Sequence, residues 1–583
     1  MTRNAKIVCT LGPSSDDRET VTALANAGMS VARLNASHGT TDERRELVEL
    51  VRDVDERTEQ PMATLLDLPG PEVRTATVEA PVSLADGSTV EFVAGKSATP
   101  SRIGLSRSID GANVGDRVLL DDGHIEATVT ALDGETVTAR IDSGGKLKSR
   151  AGVNVPGVDL GLPTITEADH RELDLAAEAN VDFVAASFVR TAEDIYEISG
   201  ELERRGADVP IIAKIERADA VDNIEEIIDA AYGVMVARGD LGVECPLEDV
   251  PIIQKRIVRQ CHHAGVPVIT ATEMLDSMIH SRRPTRAEAS DVANAVLDGT
   301  DAVMLSGETA VGDHPVRVVE TMCRIIEDVE DSDEYEELLE QRIPPADGTK
   351  TGALARSARF LSRDVDAKAI VAASESGYTA RKAAKYRPNI PIVAATPNER
   401  VRRQLALSWG IIPKQAVHSG ESADAVIQSA VQAAIQTGAA ESGDTVAVLS
   451  GMMTELEGLD TANMLKVHVA SETLTSGRSV VVGYAAGPLY RVDDGDLGDV
   501  PDGAILAVPA SFDGEFTGDV SKVSGIVDEH EGLTSYAAIV ARELDVPLVG
   551  AASLPAVEDG TEVTIDGERG VVYAGPVEDT DRQ

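Results

Sequence analysis

Charged and polar residues follow short apolar runs in the first half of the chain, at spacings that could support phosphoryl or enolate chemistry. Three pairs show the pattern: Arg33 and Asn35, Lys214 and Glu216, and Arg238 and Asp240. Side chains two residues apart on a strand share a face, so each pair would point toward one site. Glu216 and Asp240 could then hold a divalent cation, since Mg²⁺ favours one or two carboxylates completed by water and substrate oxygens. Lys214 beside them would supply compact positive charge for a developing anion.

Polar side chains also close four more apolar runs of this region. They are Asp67 after MATLL, Ser187 after VDFVAA, Thr272 and Glu273 after VPVITA, and Ser306 and Glu308 after DAVML. An ordinary ion pair at the rim of a sheet would explain any one pair. It explains the same enrichment at so many run ends less well, so we interpret the set as one site.

The elements that would position these residues are short β-rich runs separated by segments of helical periodicity. The runs are KIVCT (6–10), SVARLN (30–35), MATLLDL (62–68), VDFVAASFV (181–189), VPIIAKIE (209–216), YGVMVARGD (232–240), VPVITATE (266–273) and DAVMLSGE (301–308). This alternation predicts a (β/α)₈ TIM barrel, with its active site at the C-terminal ends of the strands. A doubly wound open sheet is the alternative, because strand number alone does not prove closure. The helix over 40–60 has Thr41 or Asp42 as its predicted N-cap.

The chain is too long for one hydrophobic core, and we divide it into four domains. The barrel takes residues 1–74 and 157–345. Short β-like pieces with turn signals over 75–156 predict a small inserted β-barrel domain. Residues 346–475 predict a separate α/β domain, and residues 476–583, rich in Gly, Asp and Val, form the fourth unit.

The composition is strongly acidic. The 583 residues include 99 Asp and Glu against 53 Lys and Arg, for a formal net charge of −46 spread along the chain. Such a surface repels nucleic acid and anionic membranes, so we expect neither as a partner. It predicts adaptation to a salt-rich cytosol, as in halophilic archaea, with an acidic protein of an ordinary cell as the alternative.

The location and the redox state follow from simpler features. No apolar run approaches the roughly 18 to 20 residues of a membrane span, and the N-terminus lacks the apolar stretch of a signal peptide. We therefore expect a cytoplasmic protein. Its four cysteines are scattered without a CxxC pair, which predicts reduced, partly buried thiols.

Longer stretches of the chain resemble the pyruvate kinase family. In the barrel they are ARLNASHG (32–39), DLPGPEVRT (67–75), ASFVR (186–190), IIAKIE (211–216), MVARGDLGVE (235–244) and the long stretch over 270–315. In the inserted domain they are LLDDGHI (119–125) and GVNVPG (152–157), and in the α/β domain SGYTARKAAKYRP (376–388) and NMLKVH (463–468). The resemblance reaches about residue 475. It implies phosphoryl transfer from phosphoenolpyruvate to ADP, giving pyruvate and ATP, as in the last step of glycolysis.

The resemblance implies a role for each charged residue of the core site. Glu216 and Asp240 would bind Mg²⁺ (or Mn²⁺) together with phosphoenolpyruvate. Lys214 and Arg33 would stabilise the phosphoryl group during transfer. The backbone around Gly239 and Asp240 would bind the substrate carboxylate at the N-terminus of a short helix.

Further residues are implied around this core. Thr272, with Ser306 nearby, would belong to the relay that protonates the enolate, and Arg74 would be a further catalytic residue. A monovalent cation site for K⁺ would comprise Asn35, Ser37, Asp67 and the carbonyl oxygen of Leu68.

Some residues depart from the family pattern. The usual DTKGPE is DLPGPE here, so Leu68 and Pro69 replace a threonine and a lysine. Leu68 loses nothing if only its carbonyl oxygen is used. Glu72 falls where K⁺-dependent members carry glutamate, which predicts K⁺ activation. Arg150 and Ala151 replace two lysines, which puts in doubt one basic contact to nucleotide phosphates or a bound anion.

Two further regions suggest regulation. The turn SESGYT (374–379), where the family holds a phosphorylated effector, could cradle a phosphate, and a plain strand-to-helix turn is the alternative. The residues proposed for it are Ser374, Ser376, Gly377 and Thr379.

The last hundred residues resemble the mobile phosphohistidine domain of phosphoenolpyruvate-utilising enzymes, through EGLTSYAAIVARELDVPLVG (531–550) and DGTEVTIDGERGVVYAG (559–575). Tyr536 occupies the position of the phosphate-carrying histidine. A phenol cannot replace imidazole as a reversible carrier, so we expect no phosphotransfer by this domain. We interpret His530 as an incidental surface residue.

Three other functions are alternatives. A Mg²⁺-dependent barrel aldolase or lyase acting on enolates would need similar carboxylates, but it would not need ADP. A swivelling phosphotransferase is disfavoured by Tyr536, and a binding module without activity is disfavoured by the complete set of charged site residues. The family also implies a homotetramer.

Overall fold

A computed structural model of the chain describes residues 3–416, 423–451, 462–471, 473–531, 534–554 and 557–577. The chain divides into two compact units. One contains Met1–Pro345, Ala384–Asn389 and Glu399–Pro413, and the other contains Ala346–Ala383, Ile390–Asn398 and Lys414–Gln583. The finer predicted boundaries within them stay predictions. Within the described ranges, no helix has both the length and the apolar character needed to cross a membrane.

The eight predicted runs form a closed barrel, which excludes the open sheet. In chain order its strands are Lys6–Thr10, Val31–Asn35, Ala63–Asp67, Phe183–Ala186, Ile211–Ile215, Gly233–Ala237, Val268–Ala271 and Ala302–Leu305. Each pairs in parallel with its neighbours, and the first closes the ring against the eighth. We number them as the first to eighth barrel strands.

Helices follow the barrel strands. Their bounds are Arg18–Ala27, Thr41–Asp55, Glu167–Glu178, Ala192–Arg204, Ala218–Asp222, Ile224–Ala230, Arg238–Glu244, Val250–Ala264, Arg286–Asp298, Gly307–Ala310, Pro315–Glu330 and Asp333–Gln341, with a 3₁₀ turn at Asp276–Ile279. The N-cap of the second helix is Thr40, so the prediction of Thr41 or Asp42 was wrong. Thr40 and Glu43 form a capping box, in which each side chain accepts a hydrogen bond from the other residue's backbone N–H.

Alternation along the strands separates two apolar layers. Val8, Val31, Leu65 and Ile212 pack inside the barrel. Residues of the other parity, such as Ile7, pack against the helices. Inward-facing positions therefore continue upward along each strand to its C-terminal end, where the barrel interior opens.

The inserted segment is all β, as predicted. Its strands are Val73–Arg74, Val82–Leu84, Thr89–Ala94, Ala98–Thr99, Arg102–Leu105, Arg117–Leu120, Ile125–Asp133, Thr136–Ser143, Gly145–Leu147 and Gly152–Asn154. Eight form one sheet and the other two a ribbon. A bridge between Thr75 and Leu105 joins Val73–Arg74 to the opposite side of the sheet, so the sheet curls into a small barrel.

The α/β domain contains a five-stranded sheet in the order Ile411–Gln415, Ile392–Thr396, Ala369–Ala373, Thr445–Ser450 and Met464–Val469. The last strand is antiparallel to its neighbour. Its helices are Lys350–Asp364, Tyr378–Ala384, Glu399–Leu405 and Ala423–Gln436.

The C-terminal residues form an eight-stranded mixed sheet. Its order is Thr473–Ser476, Val571–Ala574, Glu562–Asp566, Tyr484–Arg491, Ala504–Val508, Val523–Asp528, Leu548–Gly550 and Arg478–Val481, with the helix Tyr536–Leu544 and the 3₁₀ turn Val520–Lys522. All four cysteines of the chain are free, as predicted, and Cys9, Cys261 and Cys323 are buried.

Candidate active site

The charged residues of the site lie on the inward-facing positions just above the barrel interior. Lys214 and Glu216 continue the face of Ile212, and Arg33 and Asn35 continue the face of Val31. The strand periodicity therefore brings both predicted pairs to the same opening.

Asp67 and Arg33 form a buried ion pair at this opening. The Nε and Nη2 atoms of Arg33 lie 2.6 Å from Oδ2 of Asp67, and both side chains are nearly inaccessible to solvent. Burial disfavours the charged carboxylate, but the Lys214 ammonium and the Arg33 guanidinium hold the pKa of Asp67 below its ordinary value. Asp67 is therefore a fixed negative charge.

Thr10 orients the same guanidinium and was missed by the sequence analysis. Its Oγ1 accepts a hydrogen bond from Nη1 of Arg33 at 2.9 Å and donates to the carbonyl of Leu305. Thr10 ends the first barrel strand. Its position was therefore the available signal, since Arg33, Asp67 and Lys214 were found by the same rule.

Lys214 lies at the centre of the site. Its Nζ is 2.8 Å from Oε1 of Glu216, 2.8 Å from Oγ of Ser187 and 3.3 Å from Oδ1 of Asp67. Burial opposes the charged ammonium, but Asp67 and Glu216 raise the pKa of Lys214 above its ordinary value. The lysine is therefore a permanent cation held by three acceptors from three strands.

Glu216 and Asp240 are buried carboxylates whose negative charges are not fully offset by the nearby cations. Burial, with repulsion from Asp240, raises the pKa of Glu216 to about 7, although Lys214 is adjacent. The single ammonium is shared with Asp67, so it does not offset the burial of Glu216. Burial also raises the pKa of Asp240, to which Asp122 and Glu72 contribute repulsion. The pair is suited to a cation that protein side chains do not supply.

The sixth strand ends earlier than predicted, and this changes the orientation of Arg238. The strand stops at Ala237, and Arg238–Glu244 forms a short helix. The alternation of side chains along a strand therefore does not extend to Arg238 and Asp240. Arg238 forms an ion pair with Asp291 at 2.8 Å instead of pointing with Asp240 into one site. That part of the prediction was wrong. The short helix expected at Gly239 and Asp240 is present.

The turn after the fourth strand holds both residues of the Lys214–Glu216 pair. Ser187 Oγ accepts from Lys214 and donates to the carbonyl oxygen of Leu68 at 2.7 Å. The next residue, Phe188, has a φ of 57° and donates its backbone N–H to Oε2 of Glu216 at 2.7 Å. A left-handed phenylalanine is uncommon, so the turn is held in an unfavourable conformation at the site.

Thr272 and Ser306 follow the seventh and eighth strands directly. Both are half-buried at the opening. Glu308, also predicted at this rim, is buried and accepts hydrogen bonds from the backbone N–H groups of Ser306 and Leu275. Glu308 therefore ties two loops together instead of facing a ligand, whereas Glu273 is exposed.

The residues expected at the K⁺ site lie close together on neighbouring strands. Asn35 and Asp67 are direct partners in the register of the second and third strands. The Oδ1 atom of Asn35 accepts the backbone N–H of Ser37, which is exposed. The Leu68 side chain is in the hydrophobic core and leaves its carbonyl oxygen facing Ser187.

Arg74 lies in the strand Val73–Arg74, which pairs with Gly152–Asn154, rather than on a barrel strand. Its guanidinium is 2.6 Å from Oε2 of Glu72 and also donates to the carbonyl of Arg150. Burial raises the pKa of Glu72, against the opposing effect of Arg74. Arg74 is thus paired with Glu72, the residue expected to determine K⁺ dependence.

A cavity of about 710 Å³ opens beside the charged residues. Arg33, Asn35 and Ser306 line one part of it, and Leu47 and Leu50 of the second helix contribute apolar surface. Ligand pockets are usually a few hundred to about 1,000 Å³ and combine apolar walls with a few polar groups.

The predicted effector turn lies in the second compact unit. Ser374 follows the strand Ala369–Ala373, and Gly377 has a φ of 76° before the helix Tyr378–Ala384. Thr379 is buried, and its hydroxyl has no hydrogen-bond partner among the described residues. Ser376 accepts the backbone N–H of Tyr378.

Tyr536 and His530, in the C-terminal residues, each contact another side chain. The ring of Tyr536 packs edge-on against Phe516, with centroids 5.5 Å apart. His530 is only 24% exposed and places Nδ1 2.7 Å from Oδ1 of the buried Asp528. The interpretation of His530 as an incidental surface residue was therefore wrong.

Comparisons with known proteins agree with this geometry. Residues 2–319 match the family described as pyruvate kinase, barrel domain, and residues 352–468 match pyruvate kinase, alpha/beta domain. Residues 500–570 match the mobile domain of PEP-utilising enzymes.

Full-length relatives are pyruvate kinases of bacteria. The chain is 44% identical to the pyruvate kinase of Geobacillus stearothermophilus, over 99% of both chains. It is 41% identical to that of Staphylococcus aureus strain MRSA252 and 40% identical to that of Bacillus licheniformis, each over 98% of this chain and 99% of the relative. These relatives do not confirm a haloarchaeal origin. The chain belongs to the pyruvate kinase family.

Proposed function

We propose that this chain transfers the phosphoryl group of phosphoenolpyruvate to ADP, giving pyruvate and ATP. The observation that carries the proposal is the convergence of Lys214, Arg33, Glu216 and Asp67 on one opening of the barrel. Phosphoryl transfer depends mainly on positioning and on stabilisation of the charge of the transferred group. Lys214 and Arg33 are fixed cations, and Glu216 and Asp240 beside them could hold a divalent ion, which together match that requirement.

The residues present fit a divalent cation. Glu216 and Asp240 are oxygen ligands of the type Mg²⁺ or Mn²⁺ prefers, and burial raises the pKa of each despite the nearby Lys214 ammonium. Within the described part of the chain, no group of three or more His, Cys, Asp or Glu residues is arranged to hold a metal alone. Two carboxylates completed by substrate oxygens and water therefore describe the site. When bound, the ion would offset negative charge on the substrate.

The two cations of the protein act on the transferred phosphoryl group. Arg33 is buried and Lys214 largely so, and both are held in place by ion pairs, so they need not reorganise as charge develops on the phosphoryl oxygens. The bond between phosphorus and the enol oxygen breaks, and a bond to the terminal phosphate oxygen of ADP forms. The substrate carboxylate would accept backbone N–H groups at Gly239 and Asp240.

The cavity beside Arg33 and Ser306 is the place we assign to the nucleotide. It joins the charged opening to the apolar surface of Leu47 and Leu50, which suits a diphosphate at one end and a base at the other. After transfer, the enolate gains a proton at its terminal carbon. Thr272 and Ser306 flank the opening and would relay that proton through water.

We also propose K⁺ as the monovalent cation, bound by Asn35, Ser37, Asp67 and the Leu68 carbonyl. The register that pairs Asn35 with Asp67, and the ionised state of Asp67, support this site. Arg74 would act indirectly, by holding Glu72 at the edge of the site.

The test is pyruvate release from phosphoenolpyruvate with Mg²⁺ in concentrated KCl, with and without ADP. Release that needs ADP, with ATP formed in equal amount, is the expected result. Release that is indifferent to ADP would identify a lyase or hydrolase instead. No release from folded protein would refute the proposal.

Regulation and assembly remain separate proposals. The buried hydroxyl of Thr379, which has no partner among the described residues, supports a phosphate-binding effector turn, so Thr379→Val should abolish any activation by a phosphorylated effector. Exposed Leu247 and Ile252, at 74% and 67% exposure, support a subunit contact and hence the homotetramer. Light scattering would refute that assembly by giving the mass of one chain. The cytoplasmic location stays a prediction.

A further inference from the structure

Ser187 is the only neutral group among the three acceptors that surround the Lys214 ammonium in the described structure. The other two acceptors are the carboxylates of Glu216 and Asp67. A lysine has three N–H donors, so these three contacts fix its head completely. The position of the ammonium thus depends on groups from the third, fourth and fifth strands.

In its contact with Lys214, the hydroxyl of Ser187 is the hydrogen-bond acceptor. Its proton points to the carbonyl oxygen of Leu68 at 2.7 Å, the nearer of two acceptors, since Oδ1 of Asp67 is 3.5 Å away; a lone pair is left for Nζ at 2.8 Å. Ser187 is 8% exposed, so water does not replace either partner readily. The hydroxyl therefore holds the ammonium without adding a negative charge that would compete with a phosphoryl oxygen.

The surrounding backbone is shaped to place this hydroxyl. Gly70 has a φ of 71°, and a Cβ added there would lie 2.8 Å from the Cβ of Ser187. Phe188 takes a left-handed conformation and gives its N–H to Glu216. One turn therefore fixes both the lysine and the glutamate. The glycine leaves room for Ser187, and the uncommon left-handed conformation of Phe188 aims its N–H at Glu216.

When cations occupy the site, the two carboxylates would bind them as well as Lys214, whereas the Ser187 hydroxyl would bind Lys214 alone. Glu216 is a proposed ligand of the divalent ion and Asp67 of K⁺, so each would then share its charge with a bound cation. Ser187 is not a proposed ligand of either cation. We propose that Ser187 is a positioning residue that fixes the Lys214 ammonium against the transferred phosphoryl group; this inference rests on the proposed function.

The experiment compares the wild-type enzyme with Ser187→Ala. The variant should lose about 10- to 100-fold in kcat, because small misplacements of a catalytic group have effects of that order. Binding of phosphoenolpyruvate with Mg²⁺ and K⁺, measured by calorimetry with ADP omitted, should change by less than about threefold, because Arg33 still faces the substrate. Ser187→Thr keeps the hydroxyl and should restore most of the lost turnover.

Controls separate positioning from stability and from the function itself. Ser362→Ala removes another buried serine hydroxyl, which donates to the carbonyl of Arg359, and should leave kcat unchanged. An inactive wild type would refute the proposed function. With an active wild type, either a Ser187→Ala kcat within about twofold of normal or a Ser187→Thr as poor as alanine would overturn the positioning role.

Discussion

The ammonium nitrogen of Lys214 lies 2.8 Å from Oε1 of Glu216, a residue two positions further along the chain. The same ammonium is 3.3 Å from Asp67, whose carboxylate also pairs with Arg33. Two cations offset the charge of Asp67 and lower its pKa, so it stays deprotonated, whereas the pKa of Glu216 is raised. The charge of the site is unevenly distributed, with its deficit of positive charge at Glu216 and Asp240.

Lys214→Met should abolish turnover and leave the fold intact. Methionine has a similar length but removes the cation that would stabilise the phosphoryl group, so we expect a loss of kcat of at least about 100-fold. Lys255→Met, which removes a surface lysine paired with Asp298, is the matched control. Steady-state kinetics and circular dichroism are the measurements. Retention of more than a few per cent of activity would contradict the role.

Glu216→Gln should weaken activation by Mg²⁺. The substitution keeps the shape but removes the charge that a hard cation needs, so the activating Mg²⁺ concentration should rise by about tenfold or more. Glu244→Gln changes another buried carboxyl group, in the helix that contains Asp240, and should not shift it. Titration of activity with MgCl₂ is the measurement, and an unchanged midpoint would exclude Glu216 as a ligand.

Glu72→Lys should make activity independent of K⁺. An ammonium at this position would supply the positive charge that K⁺ otherwise brings, next to a guanidinium that now binds Glu72. Rates in KCl and in NaCl should differ in the wild type and converge in the variant. Glu91→Lys, at a surface ion pair with Arg102, should keep the wild-type difference. Equal rates for the wild type in both salts would remove the basis of the K⁺ site.

Strand periodicity predicted which side chains lie at the barrel opening, while their roles stay predictions. Arg33, Asp67 and Lys214 were found because a period of two, continued past a buried strand, determines which side chains face the opening. Arg238 was misplaced because the sixth strand turns into a helix at that residue. Its periodicity then changes, and no local signal in the apolar run announces the change.

Contacts across strands were beyond the sequence. Ser187 was recognised as a polar strand end, but its two hydrogen bonds join residues far apart in the chain. Those two contacts depend on tertiary packing, which the sequence alone does not record. His530 is a different case, because its partner Asp528 lies only two residues earlier and the sequence pattern offers no reason to pair them.

His262 should make the barrel unit sensitive to acid. Its Nε2 lies 2.8 Å from the carbonyl oxygen of Lys385, and burial, with Arg387 nearby, lowers its pKa to about 3. Between about pH 6.5 and pH 3 the unfolded chain binds a proton that the folded chain does not. The contribution to stability is therefore present above pH 6.5 and declines as the pH falls, by up to about 1.4 kcal/mol per pH unit.

His262→Gln keeps a donor for the Lys385 carbonyl and removes the titration. The variant should lose less thermal stability than the wild type between about pH 7 and pH 5. Fluorescence of the buried Trp409, which lies in the same unit, reports the unfolding. His280→Gln, at an 81% exposed histidine, should behave like the wild type. Identical acid sensitivity in all three proteins would exclude this role of His262.

Concentrated salt should stabilise the protein, because its formal net charge of −46 repels itself. The screening length falls from about 10 Å at 0.1 M salt to about 3 Å at 1 M, which removes most repulsion between surface carboxylates. The midpoint of thermal unfolding, followed by Trp409 fluorescence, should therefore rise by about 5 °C or more from 0.1 M to 2 M KCl. Sucrose, which favours compact states without screening charge, is the control and should stabilise much less at equal osmolality. A midpoint that does not move with KCl, or that sucrose raises equally, would mean that the acidic surface is not an adaptation to salt.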